Sequence, residues 1–123
     1  MGRGINWTKE YRIAKKPKYA FEENDEFEIE LIGEEADGAS YGYNRITRIQ
    51  ELLEKYAEKT IPYDANFYNT PEEAEATLIE PKTLVEMFDK VLKNIEPDNE
   101  DCGHVKYFRS LAKRGFYITI DAQ

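Results

Sequence analysis

The sequence predicts an α+β fold: a small antiparallel or mixed sheet, made of an N-terminal hairpin plus a C-terminal strand, with three to four helices packed on one face. Three observations lead there. Apolar and polar residues alternate from Glu26 to Leu31 and again from Phe116 to Ile120, the period of a strand wet on one side. Between these stretches apolar residues recur three and four apart, in segments bounded by prolines, capping residues and a glycine. Strands at the two ends with helices between them favour an antiparallel or mixed sheet over a doubly wound one. The 123 residues match one ordinary domain with a single core, so residues 1–123 are read as one unit.

Residues 5–14 carry two competing patterns. Ile5, Trp7, Tyr11 and Ile13 are compatible with alternation, whereas Trp7, Tyr11 and Ala14 share a helical face, and the segment leans to strand. Pro17 then precedes Tyr19-Ala20-Phe21, read as a strand, and Glu23-Asn24-Asp25, read as a polar turn. Phe27, Ile29 and Leu31 alternate with Glu26, Glu28 and Glu30, so residues 18–32 are expected to form a hairpin whose outer face is a glutamate ladder. Gly38, Ser40 and Gly42 mark residues 37–43 as a loop.

Helices follow. Ile46, Ile49, Leu53 and Tyr56 or Ala57 share a face, with Asn44 as the expected cap and an end near Lys59, before Pro62. Residues 61–69 are rich in turn formers and aromatics and are expected to cross the surface. Thr70-Pro71-Glu72-Glu73 is a helix start with threonine as cap, proline at the first position and glutamate at the third. Pro81 opens a helix with a wide stripe of Leu84, Val85, Phe88, Val91, Leu92 and Ile95, ended by Pro97. Val105, Phe108, Leu111 and Ala112 mark a last helix, with acids at its start, Lys113 and Arg114 at its end and Gly115 as its stop.

Charge is distributed unevenly. Residues 1–20 carry Arg3, Lys9, Arg12, Lys15, Lys16 and Lys18 against Glu10 alone, while residues 21–40 carry only acids. The net charge of −8 argues against direct nucleic-acid binding, which is driven by lysine and arginine displacing counterions from phosphate. A lone cysteine, Cys102, excludes an internal disulfide framework and fits a reducing, cytoplasmic setting. No stretch approaches the roughly 18 apolar residues of a spanning helix, no apolar core follows the basic start, and Asn6 stands where a myristoylation signal wants serine or threonine. The chain is therefore expected to be free of the membrane, as a monomer or small homo-oligomer.

Catalytic and metal-binding patterns are weak. Cys102 and His104 form the single available thiol–imidazole pairing, but two residues along a helix turn by about 200° and point apart. Asp98 to Gly103 imitates the start of a calcium loop, yet Cys102 and Arg109 stand where its fifth and twelfth ligands belong, and a helix start favoured by negative charge is the better reading. One thiol and one imidazole make a poor zinc site. Gly38 to Gly42 before a helix, near Arg45 and Arg48, suggests a phosphate cradle but lacks the Lys-Ser/Thr pair and is flanked by Glu34, Glu35 and Asp37. Ser40 and Ser110 lack a nucleophile elbow, and no pair among the many carboxylates stands out. No catalytic residue, cofactor or metal is assigned.

What remains is a combination of dense carboxylates with nine tyrosines, several in polar segments. Aromatics among polar groups are favoured at protein interfaces. Same-face neighbours in the ladder lie about 6.8 Å apart, so each like-charge contact costs roughly 0.6 kcal/mol in water, which a fold tolerates and a cationic partner relieves. The expectation is a non-enzymatic acidic module of inhibitor or immunity type that covers a basic site on a partner protein. Glu26, Glu28 and Glu30 are the expected electrostatic contacts, and Tyr41, Tyr63 and Tyr68 the expected anchors. The alternatives are a small enzyme using carboxylates and tyrosines on a neutral or cationic small molecule, and a phage or mobile-element assembly subunit.

Overall fold

The computed structural model describes residues 8–14, 18–21, 29–32, 35–63 and 68–122, with side chains over 46–63 and 68–120. Its architecture is α+β, with helices dominating the second half. Helix α1 (Tyr43–Ala57) buries Ile46, Ile49, Leu53 and Ala57, the apolar stripe expected from spacing. It begins one residue before the expected cap Asn44 and ends at Ala57, where Glu58 turns into the left-handed region with φ 62°. Helix α2 (Pro71–Thr77) starts as its sequence dictates. Thr70 Oγ1 accepts from the Glu73 N–H at 3.1 Å, and Glu73 Oε2 accepts from the Asn69 N–H at 3.0 Å, a variant of the reciprocal cap displaced by one residue.

Helices α3 (Pro81–Asn94) and α4 (Cys102–Lys113) form the main helix pair, and α1 packs on α3. Phe88 and Phe108 stack across the pair with centroids 6.2 Å apart. Leu84, Met87 and Val91 from α3 and Val105, Leu111 and Ala112 from α4 complete the contact, while Val85, Leu92 and Ile95 lie half-buried at its border. Each large buried side chain in this layer contributes on the order of 1.5–3 kcal/mol relative to exposure. The end of α4 is set by Gly115 at φ 91°: its N–H reaches the Ala112 carbonyl at 2.9 Å, and the Phe116 N–H reaches the Leu111 carbonyl at 3.3 Å. That bond pair satisfies carbonyls the helix would otherwise leave open.

Three strands form an antiparallel sheet in the order β4 (Glu35–Gly42), β1 (Thr8–Ala14), β5 (Tyr117–Ala122). The ambiguous segment 5–14 thus carries the central strand. Tyr11 stands opposite Ala39 on one side and Ile120 on the other, and a register shift at Ile13/Ala14 sets Ala14 against Glu35. Ile118 and Ile120 of β5 enter the helical core, and Thr119 on the other face is buried too. Strands β2 (Lys18–Phe21) and β3 (Ile29–Ile32) pair antiparallel as a separate two-stranded unit, Ala20 opposite Glu30. The connection expected to turn at residues 23–25 lies outside the described residues.

Two expectations are corrected. Residues 37–42, read as a loop from their glycines, belong to β4. An edge strand pairs through its backbone, and cross-strand pairing with β1 overrides the low strand propensity of Gly38 and Gly42. Residues 61–63 do not cross the surface. Ile61 is 2% exposed in the core, Pro62 is buried, and the Pro62 carbonyl accepts the Ile120 N–H at 3.0 Å. Tyr63 makes a parallel bridge with Ile120, so this stretch extends the sheet beyond β5.

Candidate functional site

The residues singled out as a binding face fall in separate places. Glu26 and Glu28 lie outside the described residues. Glu30 is in β3 of the two-stranded unit, and Tyr41 is in β4, opposite Lys9, in a strand and not in a loop. Tyr63 borders β5 on the far side of the three-stranded sheet from β4, half-buried against the core cluster. Three strand spacings, roughly 14 Å across the sheet, therefore separate the strand of Tyr41 from Tyr63. Tyr68 is half-buried two residues before the Thr70 cap of α2.

Helix α2, whose cap Thr70 stands two residues after Tyr68, carries an acidic surface. Glu72, Glu73 and Glu75 are all exposed on α2, a helix of seven residues with Ala74 as its buried anchor. Glu73 serves the cap; Glu72 and Glu75 make no ion pair with any described residue. Glu72 and Glu73 fall in the first turn, where negative charge is stabilised by the helix dipole. Helix α2 also lies against β2, the partner strand of the one bearing Glu30. The signal was present in the sequence as Pro71-Glu72-Glu73-Ala74-Glu75, but it read as capping alone.

A second polar cluster joins α1 to the start of α4. Arg48 donates from Nε to Asp101 Oδ2 at 3.2 Å and from Nη2 to Asp101 Oδ1 at 3.3 Å, and Nη2 lies 3.3 Å from Glu100 Oε1. Asp101 is 4% exposed, and its own N–H is held by Asn99 Oδ1 at 2.8 Å. The fork geometry matches a guanidinium to both carboxylate oxygens. Its hydrogen bond with Asp101 raises the Arg48 pKa against the opposing effect of desolvation, with the charges of Asp101 and Glu100 adding to the rise. Arg48 is thereby engaged by carboxylates, and the stretch before α1 that resembled a phosphate cradle is strand β4. Asp101 likewise belongs to a helix entry and holds a cation of the chain itself. Cys102 is buried as the first residue of α4, with His104 half-buried two positions on.

Among the described residues, no three His, Cys, Asp or Glu side chains converge as metal ligands. No helix among them is long and apolar enough to cross a membrane. Comparison with protein-family models, with curated proteins and with solved structures returns no match.

Proposed function

We propose that this chain is a non-enzymatic acidic binding module, of inhibitor or immunity type, that covers a basic site on a partner protein in a reducing, cytoplasmic setting. The observation that carries the reading is the exposed pair Glu72 and Glu75 on α2, which make no ion pair with a described residue, on a helix that follows the half-buried Tyr68 in the chain and packs against β2, the partner strand of the one bearing Glu30. Carboxylates in that position accelerate encounter with a cationic surface, and an aromatic anchor slows departure. Glu30, in β3, is a further electrostatic contact of the proposed face, together with Glu26 and Glu28 from the same stretch of sequence. Tyr41 and Tyr63 stand on other parts of the sheet, so Tyr68 is the anchor of this face and they are secondary contacts.

The test begins with capture of the partner from the source cells by the tagged chain and its identification by mass spectrometry. Association rates are then measured across ionic strength for the wild type and for Glu72→Lys/Glu75→Lys, which leaves the capping Glu73 intact. The expected result is association slowed by about tenfold at low salt, with the difference closing at high salt. Tyr68→Ala is expected to raise the dissociation rate. Rates unchanged at every ionic strength would end the assignment.

A further inference from the structure

A groove of about 500 Å³ opens between the first turns of α3 and the end of α4, on residues other than those proposed to meet a protein partner. Its floor is apolar: Pro81 and Val85 from α3, and Ala112 from α4. Gly115 lines one end, where an added Cβ would meet nothing within 4 Å, so the groove is open there. Lys82 and Lys113 stand at the rim, both exposed, with Glu86 beside them. Neither lysine makes an ion pair with a described residue. Their alkyl stems extend the apolar wall while the ammonium groups remain in water.

This local excess of positive charge is set in a chain of net charge −8. It selects an anion, and the floor selects hydrocarbon. The volume is that of a small-molecule site. A poly-acidic peptide fits less well, because Glu80 at the cap of α3 and Glu86 on the helix are exposed and repel any acid beyond the reach of the two lysines. We propose that the groove binds a small monocarboxylate with a compact apolar body, its carboxylate held by Lys82 and Lys113 and its hydrocarbon seated on Pro81, Val85 and Ala112.

The test is a two-dimensional amide NMR titration of the full chain at low salt with octanoate, with octanol and octylammonium as neutral and cationic counterparts. Octanoate is expected to shift the resonances of residues 82–86 and 112–115, and to bind more tightly than either counterpart. Lys82→Gln/Lys113→Gln is expected to weaken octanoate by about tenfold, the loss of two short-range charge contacts. Lys93→Gln/Lys106→Gln makes the same change in net charge away from the groove and is expected to weaken it by less than about twofold. Amide dispersion in the same spectra reports whether each variant is folded. Shifts elsewhere or nowhere, octanol or octylammonium binding as tightly as octanoate, equal loss in both lysine pairs, or tighter binding of a synthetic glutamate–leucine peptide would each overturn the proposal.

Discussion

The side-chain amide of Gln50 satisfies both backbone groups of Ile61: Nε2 donates to the Ile61 carbonyl at 2.8 Å, and Oε1 accepts from the Ile61 N–H at 2.9 Å. One side chain on α1 thereby does what a neighbouring strand does elsewhere, and it lets Ile61 enter the core without orphaned polar groups. The next residue, Pro62, has no N–H to satisfy, and its carbonyl is taken by Ile120.

Gln50→Ala is expected to destabilise the fold by about 2–3 kcal/mol, because a buried donor and acceptor lose their partners together. Gln50→Glu keeps an acceptor for the N–H but sets a carboxylate against the carbonyl, and is expected to fall between. Urea denaturation measures both. A loss below about 0.5 kcal/mol for Gln50→Ala would mean that water replaces the amide without penalty.

Glu58 at φ 62° and Gly115 at φ 91° end their helices in the same left-handed region, but only the glycine is free of Cβ strain there. Glu58→Gly is expected to stabilise by about 1 kcal/mol, and Gly115→Ala to destabilise by about as much. Thermal unfolding should therefore move in opposite directions for the two variants. A fall in Tm for Glu58→Gly would locate an uncounted role in its side chain.

Arg48 and Asp101 are expected to behave as a unit. Asp101→Ala should lower Tm more than Glu100→Ala, since Asp101 is buried within the fork and Glu100 is exposed. The double variant Arg48→Ala/Asp101→Ala should be more stable than the sum of the two single losses, which is the signature of a pair in contact. Strict additivity in a denaturation cycle would refute the coupling.

Tyr117 gives the alkaline side of the stability profile a defined sign. Burial, then its hydrogen bond to Glu80 Oε2 at 3.0 Å and the charge of that carboxylate, raises the phenol above its ordinary value of 10.0. A phenol raised on folding contributes stability that is complete below the unfolded value and is lost as pH rises through the folded one. Tyr117→Phe should therefore flatten the loss of stability above a pH of about 10, measured by denaturation across that range. An unchanged alkaline stability profile would refute the linkage.

What sequence alone determined is what is decided within one helical turn. The stripes of Ile46, Ile49 and Leu53, of Leu84, Phe88 and Val91, and of Val105, Phe108 and Leu111 are buried as their spacing implies. Thr70, Pro71 and Glu73 start α2, and Gly115 stops α4, because the groups they satisfy lie within a few residues along the chain. Tertiary structure decided what depends on pairing. The glycines at 38 and 42 became an edge strand only because β1 lies alongside, and Pro62 and Tyr63 joined the sheet only because β5 returns from the far end of the chain. Arg48 and Asp101, 53 residues apart, carry no local pattern that announces their contact. The acidic surface of α2 was written in the chain, but its exposure follows from Ala74 turning inward, a choice made by packing.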